Sequence, residues 1–264
     1  MSIVKDFYQG TAESVNGDIA PVNNWVEKRT NGMIKNAIEN LDFEVMLLNV
    51  AAFKGSWLCP FNENETKPEV FYSAGGSQDT IDFMTMDKPI GNDDYFQYYE
   101  EQGLQAVMLD YGNTGKEEYT PYEMAFVLTQ NPIDSDTLNR IFTNCSKQNV
   151  YIKLPKFKIE SNLELNSVLA DMGVTDIFNA GLADFSPMLT AKGYFVTYVD
   201  HKAMISVDEK GTEASVVSSV KIMRGLSERK QFIANKPFYY FLRDKETGEI
   251  LFEGIFADAR NMNF

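Results

Sequence analysis

Asp208-Glu209-Lys210-Gly211-Thr212-Glu213-Ala214-Ser215-Val216-Val217-Ser218-Ser219-Val220-Lys221-Ile222 is the stretch whose reading decides the fold. Asp208 to Gly211 has the composition of a turn. After it, Thr212, Ala214, Val216, Ser218, Val220 and Ile222 are small or apolar. Their alternates Glu213, Ser215, Ser219 and Lys221 are polar, with Val217 the exception. A period of two is the mark of a strand with one face toward a core and one toward water. The β-branched residues favour extended backbone. The run ends in Met223-Arg224-Gly225-Leu226-Ser227-Glu228-Arg229-Lys230, a charged segment with the character of an exposed, protease-sensitive tip. On pattern alone, an edge strand followed by a loop accounts for this stretch.

Outward from it, residues 194–207 read as one long strand. Downstream, Pro237–Arg243 and Ile250–Ala257 read as a strand pair, with Asp244-Lys245-Glu246-Thr247-Gly248 as the turn between them. Residues 45–53 are almost continuously apolar, which suits a strand covered on both faces. Shorter strand signals fall at Tyr95–Tyr99, Gln105–Asp110, Met124–Leu128 and Val150–Lys153, with Gly103 and Tyr111-Gly112-Asn113 as turns. Helical spacing of Val22, Trp25, Val26, Met33 and Ile34 behind Pro21 predicts a helix over 22–38. A second helix is predicted over Leu163–Met172, stopped by Gly173 at the C′ position. Many strands with a few interspersed helices make the fold class α+β. No repeat, low-complexity segment or Pro/Gly/Ser linker divides the chain, so residues 1–264 read as a single domain.

Composition narrows the functions. At 44% hydrophobic and 23% charged residues the chain has the balance of a globular protein, and 19 Phe, 13 Tyr and 12 Met can fill a large core. A formal net charge of -14 disfavours nucleic acid and anionic membrane surfaces as partners. No apolar run reaches membrane-spanning length. Cys59 and Cys145 are too few for a disulfide scaffold and are expected as two buried free thiols. With His201 the sole histidine, no metal site is expected. No Ser/His/Asp set, nucleophile-elbow serine or phosphate loop is present, so the chain is not expected to be an enzyme. Sequons at Asn64 and Asn144 permit secretion without diagnosing it.

Asp208-Glu209-Lys210-Gly211-Thr212-Glu213-Ala214 resembles the hinge of a serpin reactive-centre loop almost letter for letter. Further serpin-like blocks follow in serpin order: Asn24-Trp25-Val26-Glu27-Lys28-Arg29-Thr30-Asn31-Gly32, then Leu48-Asn49-Val50-Ala51-Ala52-Phe53-Lys54-Gly55-Ser56-Trp57. Leu154-Pro155-Lys156-Phe157-Lys158, Ala183-Asp184-Phe185-Ser186, His201-Lys202-Ala203 and Asn235-Lys236-Pro237-Phe238, with Gly248 to Gly254, continue the series. The likeness runs through nearly the whole chain.

This resemblance implies a large central sheet A, smaller sheets B and C, and surrounding helices. It implies a suicide-substrate inhibitor of serine, or alternatively cysteine, endopeptidases. The target cleaves a loop at about residues 209–230, and the freed loop inserts into sheet A as a new strand. Serpins are themselves a known instance of strand addition to a sheet. Glu209, Gly211, Thr212, Glu213 and Ala214 correspond to the loop hinge. Lys156 and Glu209, with Trp57 beside them, correspond to the breach at the top of the sheet, where a surface ion pair would gate insertion more than stabilise. Asn49 and His201 correspond to the shutter beneath the sheet, and Trp25 to the helix lying across it. The reactive bond is read as Arg224–Gly225, because Arg suits a specificity pocket carrying a carboxylate. Counting forward from the hinge glycine instead places Gly225 before the bond, and counting back from Lys236-Pro237-Phe238 favours Leu226, so Gly225–Leu226 is the alternative. The expected partner is therefore a trypsin-like serine protease.

Two features depart from the pattern. Val216 and Val217 are bulkier than the usual hinge residues. Family members are also considerably longer, and the chain is expected to be an N-terminally truncated serpin, its C-terminal two-thirds. The missing portion holds the usual heparin-binding helix, so no heparin site is assignable. The alternative function is a non-inhibitory serpin-fold protein or an inactive fragment. The resemblance favours an extracellular setting. The absence of a signal peptide leaves a cytoplasmic one open.

Overall fold

The apolar runs of the sequence become strands that sort into three sheets. The computed structural model describes residues 6, 10–87, 96–113, 118–188, 193–210 and 229–261. In chain order the elements are α1 (Ala20–Arg29), β1 (Val45–Phe53), β2 (Lys67–Tyr72), β3 (Gln78–Met86), β4 (Phe96–Glu101), β5 (Leu104–Asn113) and β6 (Glu118–Thr129). They continue with α2 (Ser135–Asn144), β7 (Ser146–Gln148), β8 (Val150–Pro155), β9 (Phe157–Glu164), α3 (Asn166–Asp171), β10 (Val196–Val207), β11 (Lys230–Ile233), β12 (Phe238–Asp244) and β13 (Ile250–Phe256). Two compact units result: Met1–Phe53 with Ile159–Ile205, and Lys54–Lys158 with Ser206–Phe264.

The first unit is built on sheet A, in the order β1-β10-β9. β1 and β10 are parallel, with partners running from Val45↔Val196 to Phe53↔Ile205. Because side chains alternate along a strand, Leu48 and Val50 share one face while Leu47, Asn49 and Ala51 share the other. The first of these faces packs with Val26, Ile34, Ala37 and Met204, and Trp25 and Met33 close the same cluster. The expectation that β1 is covered on both faces is not met. Leu47, on the second face, is 43% exposed.

The predicted helix over 22–38 ends early, at Arg29. Pro21 at the helix start is where the sequence puts it, since the lost N–H has no intrahelical partner there. The stop comes from Asn31, which adopts the left-handed conformation, and from the Gly32 N–H, which donates to Glu27 O at 2.7 Å. This is a Schellman closure. Beyond it Met33 and Ile34 keep their apolar contacts in irregular backbone. Ile38 is pinned back by both ends of the Asn23 amide, at 3.0 and 2.9 Å. α3 is likewise shorter than 163–172. Residues 163–164 complete β9 instead, and the Asn166 side chain at the helix start bonds Thr197 O and Val199 N of β10. Gly173 sits in its predicted place with φ 92°.

The second unit carries sheet B, in the order β13-β12-β6-β5-β4-β7, and sheet C, in the order β11-β8-β3-β2. Tyr111-Gly112-Asn113 is not a turn. It lies in β5, where the pairing with β6 shifts register between Asp110 and Gly112. The irregularity passes over Tyr111, which bridges Trp57 instead, and the ladder resumes at Gly112 opposite Tyr119. Phe157, Phe238 and Phe256 stack within 5.2 to 5.8 Å of one another, with Phe71 4.9 Å from Phe256 and Phe126 6.0 Å from Phe238. Such rings bury large areas and gain further from edge and offset contacts. Cys59 and Cys145 are half-buried rather than buried thiols, with no disulfide between them.

Gly254 in β13 faces Tyr240 across the β12–β13 ladder, and a Cβ there would overlap the buried phenol ring. Gly254→Ala is therefore expected to cost about 1–3 kcal/mol by overpacking. Urea unfolding checks this: the midpoint should fall, and an unchanged midpoint means the ring has room to move.

Candidate functional site

The site forms where β10 ends. Asp208 turns the chain by accepting from the Lys210 N–H at 3.0 Å, an Asx turn. The next three carbonyls are then each held by residues 57–61. The Trp57 indole Nε1 donates to Asp208 O at 2.8 Å, Phe61 N to Glu209 O at 2.9 Å and Trp57 N to Lys210 O at 3.3 Å. Trp57 is itself fixed. It is buried, stacks on Tyr111 at 4.4 Å and meets Phe61 and Phe126 at 6.4 Å. Burial, and then the Asp208 charge, push the Tyr111 hydroxyl well above its ordinary range, so it stays protonated and neutral.

The Glu209 side chain points inward and the residue is only 6% exposed. Its Oε2 stands 3.0 Å from Lys156 Nζ, and its Oε1 accepts from Thr66 Oγ1 at 2.7 Å. Lys156 is presented at the break between β8 and β9, where its N–H donates to Asp82 O at 2.8 Å. The ion pair is thus not the surface contact that the sequence suggested, since the Glu209 side chain is 8% exposed and that of Lys156 27%. A charge-assisted pair in this setting contributes about 1.5–3 kcal/mol. Removing one partner leaves a desolvated charge behind. Burial works against ionisation of Glu209, but the hydrogen bonds from Thr66 and Lys156 outweigh it and hold the carboxyl below its ordinary value of 4.5. Around the pair lies an open polar cleft of about 520 Å³, walled by Glu63, Thr66, Asp82, Lys156 and Asp208–Lys210. Lys210 Nζ reaches Glu63 at 2.8 Å.

Asn49 and His201 are direct partners across β1 and β10, on the face opposite the α1 cluster. Parallel pairing brings them together although 152 positions of sequence separate them. Gly211, Thr212, Glu213, Ala214, Arg224, Gly225 and Leu226 lie outside the described residues. Thr66, Phe61 and Tyr111 escaped the sequence reading. A lone threonine or aromatic carries no local signal: Thr66 and Phe61 find their partner in Glu209, and Tyr111 finds Trp57, all far apart in sequence. Among the described residues no cluster of His, Cys, Asp and Glu is arranged to hold a metal ion, and no helix is long and apolar enough to cross a membrane.

Three sheets, a parallel β1–β10 pair and a clamped turn at the end of β10 define an α+β protein of serpin architecture. The family model described as serpin (serine protease inhibitor) matches residues 1–259. The chain belongs to the serpin family. It is 32% identical to an uncharacterized serpin-like protein of Thermococcus kodakarensis, covering 96% of this chain and 61% of that protein. It is also 32% identical to human Serpin B3, over 97% of this chain and 69% of that one. Among solved structures, the native state of the thermophilic serpin Tengpin superposes with a TM-score of 0.77 at 27% identity, covering 97% of this chain and 67% of Tengpin. The chain therefore spans about three-fifths of the archaeal relative's length.

Because its folded pKa is depressed, Glu209 stabilises fully above its ordinary value of 4.5, and that stability fades as pH falls through the lower folded value. Glu209→Gln is expected to lose about 2 kcal/mol at pH 7. The deficit should shrink below pH 4. Paired unfolding curves at pH 7 and pH 3.5 test this, and a deficit independent of pH would rule out the ionised pair as its source.

Proposed function

We propose that the chain acts as one serpin domain, an inhibitor that a target protease cleaves within residues 209–230 and that traps the protease by inserting the freed segment into sheet A. The observation that carries this reading is the direct parallel pairing of β1 with β10, the strand that leads into the hinge sequence. A segment leaving the end of β10 and reversing direction must run antiparallel to β10. Inserted between β1 and β10, it exchanges one ladder for two. Residues 212–222 would add roughly ten backbone hydrogen bonds, at about 1 kcal/mol each a gain on the order of 10 kcal/mol. Antiparallel pairing is also slightly the more stable kind. The period-2 pattern puts Thr212, Ala214, Val216, Ser218, Val220 and Ile222 on one face of that strand.

In this reading Gly211, Thr212, Glu213 and Ala214 form the moving hinge. Glu209, Lys156 and Trp57 hold the turn from which it swings, and Asn49 with His201 must part for the new strand to enter. Cleavage at Arg224–Gly225 makes the target a trypsin-like serine protease, whose acyl-enzyme is carried along with the loop. An extracellular setting belongs to the same proposal, on the family likeness. The intact hinge sequence and the Glu209 clamp support it over a carrier or an inert serpin-fold chain.

Incubation with trypsin tests it. An SDS-stable covalent complex is expected, and Arg224→Ala should reduce its yield at least tenfold. Chain nicked after Arg224 should melt at a higher temperature than intact chain. Clean nicking with neither a complex nor a rise in melting temperature would favour the non-inhibitory reading.

A further inference from the structure

Five basic residues lie in or beside the loop: Lys210, Lys221, Arg224, Arg229 and Lys230. A trypsin-like enzyme accepts Lys or Arg at the cleaved bond, so each is a candidate for attack. A cut after Lys210 would part residues 212–222 from β10, and a cut after Arg229 or Lys230 would fall beyond the reactive bond proposed above. The three flanking residues share a property that charge patterning does not predict. Each is held at both its side chain and its backbone.

Lys210 Nζ is paired with Glu63 at 2.8 Å, and its carbonyl accepts from Trp57 N at 3.3 Å. The preceding carbonyls of Asp208 and Glu209 are tied to Trp57 and Phe61. The ion pair is exposed and weak. The carbonyl bond matters more, because attack requires that oxygen to swing into an oxyanion hole.

At the other root, the Arg229 guanidinium pairs with the Asp87 carboxylate and donates to Asp87 O at 2.9 Å. It also stacks 5.1 Å over the Tyr151 ring. The peptide nitrogen that would leave, Lys230 N, donates to Asn149 O at 2.9 Å. Lys230 Nζ pairs with Glu100 at 2.9 Å, and its backbone enters the β11–β8 ladder opposite Val150. A protease needs its substrate extended and unpaired, with the basic side chain free to enter a pocket. All three residues fail both requirements.

We infer that Glu63, Asp87, Glu100 and Tyr151 are specificity-determining residues: by holding Lys210, Arg229 and Lys230 they disfavour trypsin-like attack at the two ends of the loop, away from the proposed reactive bond Arg224–Gly225. This rests on the proposed inhibitory reading for its purpose, and on the contacts themselves for its effect.

The test is a timed map of trypsin cuts by intact-mass spectrometry, on the full chain and on the double variant Asp87→Asn/Glu100→Gln. In the unaltered chain, first cuts after Lys210, Arg229 and Lys230 are expected at least tenfold slower than those after Lys221 or Arg224. The double variant should gain cuts after Arg229 and Lys230 by at least fivefold, with the rate at Arg224 unchanged. Thermal unfolding of the same samples separates this from general loosening, which would raise cutting at every exposed Lys and Arg together. Comparable early rates at the flanking residues, or an unchanged map in the double variant, would overturn the inference. Because the map is read whether or not a covalent complex forms, failure of the complex alone bears on the inhibitory reading and not on this one.

Discussion

The parallel ladder between β1 and β10 is the constraint on which the rest depends. Parallel strands cannot be joined by a tight turn, so residues 54–195 intervene between them. That excursion includes all of sheet B except β12 and β13 and all of sheet C except β11. Nine residues of β1 are matched to β10 without a break after Met46.

The clamp at residues 208–210 fixes the backbone where β10 ends. Three consecutive carbonyls are tied to residues 57–61, and a buried carboxylate is tied to Lys156 and Thr66. Upstream of Gly211 the backbone is determined by many bonds at once. The opposite root of the loop is held in a different manner, by ion pairs, an aromatic face and the start of a strand. Trp57 is central to the clamp because one residue supplies the stacking surface, the indole donor and the backbone donor together.

The acidic composition finds only partial structural use. Glu209, Glu63, Asp87 and Glu100 engage cations at the two ends of the loop, and Glu123 pairs with Arg243 at 3.2 Å within sheet B. Burial pushes the Glu123 carboxyl up despite that partner. It is therefore a weaker electrostatic anchor than Glu209, whose bonds overcome their desolvation. The difference is one of partners: Glu209 receives a hydroxyl and an ammonium, while Glu123 shares one guanidinium and stands near Asp110.

The sequence by itself determined the strands whose apolar pattern is local: 45–53, 194–207 and the hairpin closed at Gly248. Its series of serpin-like blocks also made the family legible. Short-range chemistry decides those features, because alternation, turn residues and caps act within a few positions. What only the tertiary structure decided were matters of partnership. The helix at 22–38 stopped at Arg29 because an αL residue and a Schellman bond ended it while its apolar residues found their core without helical backbone. Tyr111-Gly112-Asn113 became the end of β5 because β6 lay alongside to continue the ladder. Lys156 and Glu209 turned from a surface pair into a buried one because Thr66, Trp57 and Phe61 closed around them. A residue's chemical type is written in the chain, but its desolvation and its partners exist only once distant segments have met.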